Sequence, residues 1–262
     1  MRVALVTGAG SGIGRAIALT LAEHQYALAL VGRTAGSLDA TAEQVRRMGG
    51  EAVSFPTDVS RADHVDALID KVLHQFGQLN VVVNSAGLCP MIPTADITPA
   101  QWREIMDVNL SAPFYTLRAA WPVFQRQFLQ ERSRQHDAAA DPQGQALGDD
   151  AAPEDAGGAI INISSESSRD PFPGLGAYGA AKVALNMLTK VTAREGEPLG
   201  IRVIAIAPAA VETGMFRAIF SADQVATEEI LSPQDVADAV YSAIAGPLRR
   251  SSGETIFIHQ KV

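Results

Sequence analysis

The chain has 262 residues, 47% hydrophobic and 19% charged, a balance that excludes a disordered chain and suits a large buried core. Its net charge of −8 argues against nucleic acid or an anionic membrane as main partner, and its single cysteine, Cys89, excludes an intramolecular disulfide. No apolar run reaches the roughly 18 residues of a membrane-spanning helix, and Met1 and Arg2 lead into a strand rather than a signal peptide, so a reducing, cytoplasmic setting is expected.

In chain order, the first apolar run, 3–6, ends in TGAGSGIG, whose spaced glycines are Gly8, Gly12 and Gly14. Glycine permits positive φ and close backbone approach to a pyrophosphate. Ser11, Gly12, Ile13 and Gly14 open a helix over 13–24, whose amino terminus offers N–H donors to phosphate. A second run, 27–31, leads to Arg33 and Thr34 before a helix over 37–48. A run at 52–55 precedes Asp58 and Val59 and a helix over 62–76, and a run at 79–83 leads into NSAG, Asn84 to Gly87. A long helix over 99–124 carries Asn109 in DVNL.

From about 130 to 157 the chain is rich in Ala, Asp, Gln and Gly, and it reads as a solvated insertion. Lying between a helix and the next strand, it belongs at the amino-terminal edge of a sheet, away from ligands. Then come the run 159–163 with Ser165 beyond it, a helix over 178–194 carrying Tyr178 and Lys182, the run 203–207 with Pro208, a helix over 233–245 and the run 255–258. Strand-length Val/Ile/Leu/Ala runs alternating with helices indicate an α/β chain with a single doubly wound parallel sheet of about seven strands, of Rossmann type, helices covering both faces. One domain over 1–262, interrupted by the insertion, is expected.

Tyr178 and Lys182, four apart on a helix, share one face. A neighbouring ammonium favours the phenolate and is expected to lower the tyrosine's pKa. Alone the pair fits a chance pairing on an exposed face equally well. Ser165 stands thirteen residues before Tyr178, at a strand's carboxyl end where the glycine turn also lies. Ser164 is the competing serine. At the end of the second strand an acidic residue would suit the ribose hydroxyl of NAD; Arg33 there suits the 2′-phosphate of NADP instead, and Thr34 adds a hydroxyl. The five histidines, His24, His64, His74, His136 and His259, show no metal-ligand spacing, so no catalytic metal is expected.

T-G-x3-G-x-G, Asp58-Val59, NSAG, Asn109, Ser165 and Tyr178-x3-Lys182, in this order, resemble the short-chain dehydrogenase/reductase family over nearly the whole chain apart from the insertion. The resemblance implies hydride transfer between NADP(H) and a carbonyl, with Ser165, Tyr178, Lys182 and Asn109 as the catalytic set. Tyr178 would protonate the alkoxide and Ser165 stabilise it. Lys182 would tune Tyr178 and bond the nicotinamide ribose, while Asn109 would hold a water that relays protons. Asp58 and Val59 would meet adenine, and Asn84, Ala86 and Gly87 would line the adenine-ribose side and support the central strand. Pro208, Val211 and Thr213 would border the nicotinamide. Two departures stand out: Ser11 replaces the basic residue common in the glycine turn, and Ala209 follows Pro208 where glycine is usual, which strains the chain if φ is positive there.

The implied activity is reduction of a ketone, with a 3-oxoacyl thioester as a candidate. Alcohol oxidation and a non-catalytic cofactor sensor are the alternatives. Substrate-lining candidates are Leu88, Cys89, Met91, Ile92, Glu166, Phe172, Leu175, Met215, Phe216 and Ile219, mostly apolar. Assembly as a homodimer or homotetramer through the helices 99–124 and 178–194 is implied as well.

Overall fold

The computed structural model describes residues 1–139 and 157–260. Seven strands, β1 (Val3–Thr7), β2 (Ala27–Gly32), β3 (Ala52–Pro56), β4 (Val81–Asn84), β5 (Gly158–Ile163), β6 (Ile201–Pro208) and β7 (Thr255–Ile258), form one sheet. Its order is β3-β2-β1-β4-β5-β6-β7, and every pair is parallel. The order reverses direction between β1 and β4, where Val6 pairs with Leu30 on one side and Val83 on the other. A crevice opens at the carboxyl edge at such a switch point.

The helices are α1 (Gly12–Glu23), α2 (Ala35–Arg47), α3 (Ala62–Phe76), α4 (Pro99–Met106), α5 (Ala112–Ala139), α6 (Gly176–Gly196), α7 (Gly214–Arg217) and α8 (Pro233–Ile244). Strand side chains alternate between two cores. Leu28 and Leu30 join Ile17 and Leu21 of α1 and Val236 and Val240 of α8 on one face. Ala27, Ala29 and Val31 join Val65 and Leu68 of α3 and Phe124 of α5 on the other. Phe124 is fully buried, and truncating it to alanine would cost about 3–5 kcal/mol. Capping boxes at Thr98/Gln101 and Ser232/Asp235, each with proline at the helix start, fix where α4 and α8 begin.

A buried polar chain crosses the sheet. Thr116 Oγ1 donates to Asn84 Oδ1 at 2.7 Å, Asn84 Nδ2 to Asn162 Oδ1 at 2.9 Å, and Asn162 Nδ2 to Thr189 Oγ1 at 2.8 Å. It ends on the Leu185 carbonyl, 2.9 Å from Thr189 Oγ1, and ties α5, β4, β5 and α6 together.

The expected helix over 99–124 is three pieces. A π turn, Asp107–Ser111, separates α4 from α5, and α5 runs on to Ala139. The proposed insertion from about 130 therefore begins as helix; the rest of it, 140–156, lies outside the described residues. Its flanks meet the amino edge, where Gln127 of α5 bonds the backbone of Leu79 at 2.8 and 3.1 Å.

Candidate active site

β1 delivers the glycine turn to the carboxyl edge. Thr7 Oγ1 accepts from the backbone N–H groups of Ser85 and Ala86, both at 3.0 Å, and so draws the end of β4 against the turn. Gly8 has φ +69, and a Cβ there would lie 3.0 Å from Ala86 backbone atoms. A Cβ on Gly14 would strike the Gly8 carbonyl oxygen. Ser11 is the N-cap of α1, its side chain making no capping bond. Thr213 packs on the turn from above, its Cγ2 3.3 Å from where a Gly12 Cβ would stand.

The turn forms one wall of a cleft of about 840 Å³. Of the residues expected to hold a cofactor, Gly8, Ser11, Gly12, Ile13, Gly14, Arg33, Thr34, Asp58, Val59, Ala86, Gly87 and Thr213 line it. Arg33 is exposed at its rim. Asp58 accepts from Ser60 N at 3.1 Å and Ser60 Oγ at 2.7 Å. The Ser60 hydroxyl is the largest cause holding its carboxyl below the ordinary value, with Arg33 a lesser one. A glycine-walled cleft fits a dinucleotide, whose pyrophosphate needs close approach of the backbone.

Five expected cofactor contacts, Asn84, Tyr178, Lys182, Pro208 and Val211, are not among the residues that line this cleft. Asn84 is buried in the polar chain through the sheet, so its support of the central strand is what the geometry displays. Val211 is buried and bridges to Leu231, and Pro208 pairs with Ile258 within the sheet. Ala209 is not strained: among the described residues only Gln25 is a non-glycine with positive φ. Ser37, Ser60 and Arg103 also line the cleft. Ser37 was legible in principle, since it stands on the first turn of α2; Arg103 reaches the cleft from α4, and no spacing rule points to it.

Ser165, Tyr178 and Lys182 do converge. Ser165 follows β5 and accepts from Ser167 N at 3.2 Å; Ser164 is buried with its hydroxyl unpartnered, which separates the two serines. Lys182 is buried on α6, its Nζ donating to the Ile163 carbonyl at 2.8 Å and lying 5.5 Å from the centre of the Tyr178 ring. Tyr178 keeps intermediate exposure amid dense packing. Removal from water pushes its hydroxyl well up, the Cys89 sulfur adds to this, and a hydrogen bond with Ser165 opposes it. The expected lowering by Lys182 is thus overturned in the chain itself, because the phenolate loses more hydration than its one bond returns. Burial also lowers Lys182 from 10.5 to about 8, with Cys89 opposing. Cys89 is pushed up to about 11, again by burial.

Asn109, fully buried in the π turn, donates from Nδ2 to the Leu88 carbonyl at 2.7 Å and the Ile105 carbonyl at 2.9 Å. Its Oδ1 accepts from Leu88 N at 3.3 Å. It thereby clamps the segment that carries Cys89 towards Tyr178 and Lys182. Among the described residues no group of His, Cys, Asp or Glu is arranged to hold a metal ion, and no helix is long and apolar enough to cross a membrane.

The family model described as short chain dehydrogenase matches residues 2–130 and 148–224, breaking within the polar segment. A 3-oxoacyl-[acyl-carrier-protein] reductase of Staphylococcus aureus is 32% identical over 265 residues, covering 98% of this chain and 96% of that protein. A dehydrogenase/reductase structure from Sinorhizobium meliloti superposes with a TM-score of 0.79 at 32% identity, covering 98% of this chain and 93% of that one. The 3-ketoacyl-(acyl-carrier-protein) reductase of Brucella melitensis, solved with NADH, gives a TM-score of 0.81 at 25% identity, covering 98% and 96%.

Proposed function

The chain belongs to the short-chain dehydrogenase/reductase family, and within it we propose an NADPH-dependent carbonyl reductase that converts a ketone to an alcohol. The observation that carries this reading is the meeting of Ser165, Tyr178 and Lys182 at the carboxyl edge of a sheet whose dinucleotide cleft ends at Arg33. A bound nicotinamide dinucleotide supplies the hydride for the carbonyl carbon. Tyr178, its hydroxyl protonated at neutral pH, donates that proton to the developing alkoxide. Ser165 bonds the same oxygen and stabilises its charge. Lys182 holds a cation beside the ring and returns a proton to Tyr178. Asn109 fixes the Leu88 backbone next to Cys89, whose sulfur neighbours Tyr178 and Lys182.

Arg33 favours NADPH because a guanidinium pairs with a phosphate. NADPH as donor favours the reductive direction. The Brucella relative's complex with NADH makes cofactor choice the first quantity to measure. A 3-oxoacyl thioester enters as a candidate substrate through the Staphylococcus relative. The working form is a homodimer or homotetramer in the cytoplasm. The test is a spectrophotometric screen of ketones, aldehydes and 3-oxoacyl thioesters, following NADPH and NADH separately. Carbonyl-dependent NADPH oxidation is expected; faster NADH oxidation would overturn the cofactor assignment.

A further inference from the structure

Three loops that follow β4, β5 and β6 at the carboxyl edge of the sheet pack on one another. The segment after β4 joins the one after β5 through Ile92 N donating to the Gly174 carbonyl at 2.8 Å, and a Cβ on Gly174 would meet Met91 Cγ at 2.8 Å. The segment after β5 meets the one after β6 through rings: Phe172 lies edge-on to Phe220 with centroids 5.8 Å apart, and Phe220 lies 5.1 Å from Phe216. Met215, beside Phe216, reaches into the dinucleotide cleft. Met91, Phe172 and Met215 are 45%, 47% and 45% exposed, so this rim offers apolar surface to whatever enters.

The two arginines of these loops are committed within the chain. Arg169 donates from Nε to Glu166 at 2.7 Å, lies 2.8 Å from His259 Nε2, and stacks 3.8 Å from the centre of the Phe257 ring. Arg217 donates from Nε to Glu212 at 2.8 Å, from Nη1 to the Val225 carbonyl at 2.7 Å and from Nη2 to Thr227 Oγ1 at 3.1 Å. A substrate phosphate or carboxylate would have to displace these charge-assisted bonds. An acidic carrier would also meet a chain of net charge −8.

We propose that the substrate is a neutral ketone bearing a bulky aromatic or alicyclic group, seated against Phe172, Phe216 and Phe220, and not an acyl chain delivered on an anionic carrier. The inference rests on the carbonyl-reductase reading. Aromatic edges and faces take flat apolar groups, and apolar walls with few polar groups suit such ligands.

The experiment compares kcat/KM at saturating NADPH for 1-tetralone, 2-butanone and acetoacetyl-CoA. Tetralone is expected to exceed acetoacetyl-CoA by about tenfold or more, the scale on which an apolar pocket discriminates. Phe172→Ala is expected to raise KM for tetralone by about tenfold while 2-butanone changes little. The affinity for 1-tetralol, measured by calorimetry with NADP+ present, should weaken in parallel, with NADPH affinity retained. Preference for acetoacetyl-CoA, or an equal effect of Phe172→Ala on both ketones, overturns the inference and leaves the reductase reading standing. Failure of every carbonyl to consume NADPH or NADH removes both.

Discussion

Lys182 Nζ lies 5.5 Å from the centre of the Tyr178 ring and is tethered 2.8 Å from the Ile163 carbonyl. With burial lowering Lys182 to about 8 and raising Tyr178, the lysine is the first of the two to titrate as pH rises. Reduction needs a proton returned to Tyr178. The pH profile of kcat/KM for ketone reduction should therefore be level below about 8 and fall above it. A profile flat to pH 10 would contradict the assignment. The same shift has a stability consequence of opposite direction. Between about 8 and 10.5 the unfolded chain binds the lysine proton more tightly than the folded one, so this group's contribution to stability rises with pH in that window. Lys182→Met should remove that rise in urea titrations, whereas Tyr178, shifted upwards, acts in the opposite sense only above its ordinary value of 10.

Replacing Tyr178 by phenylalanine removes the proton donor and leaves the ring. Turnover should drop by roughly 10²–10⁴-fold. Ser165→Ala should cost roughly 10²–10³-fold in kcat. Both variants should still bind NADPH in a fluorescence titration. Undiminished function in Tyr178→Phe would instead favour a cofactor sensor.

The glycine turn, the seven strands and the Ser165–Tyr178–Lys182 meeting were legible because each rests on local rules: apolar runs, spaced glycines and helical spacing. The π turn around Asn109 was not, because DVNL reads like any helical stretch until Asn109 takes the Ile105 carbonyl for itself. The extension of α5 was hidden by composition. Residues 130–139 lack large apolar groups beyond the core, yet Glu, Arg, Gln and Ala are good helix formers and prolong a helix already nucleated upstream. The upward direction of the Tyr178 shift is not legible in the sequence, because spacing conveys the neighbouring charge but not how much water is lost.

Arg33→Ala tests cofactor choice. Hydrogen bonds to charged groups contribute ~1.5–3 kcal/mol, so NADPH affinity should fall roughly 10–150-fold. NADH affinity should change little. Equal losses for both cofactors would show that Arg33 does not read the 2′-phosphate.

Asn162→Ala removes the middle of the polar chain and leaves Asn84 Nδ2 without its acceptor. Stranding a buried donor costs about 1–3 kcal/mol, readable as a lower urea midpoint. An unchanged midpoint would mean that neighbouring groups repair the chain.

Assembly is tested on α6. Val183, Met187 and Val191 of α6 and Phe114 of α5 are exposed apolar residues on the helices proposed to pair. Met187→Glu should shift sedimentation towards the single-chain mass. A wild-type chain already sedimenting at that mass would dismiss the proposal.

The chain of bonds from Thr116 through Asn84 and Asn162 to Thr189 lies beneath the strand ends, and none of its members belongs to the aromatic rim. The polar frame that ties α5, β4, β5 and α6 together is thus made of different residues from the aromatic rim. Exchanging segments 90–97, 169–175 and 216–230 for those of another family member is expected to alter the accepted ketone while leaving Leu88, Cys89 and the cleft-lining Gly214 and Met215 in place.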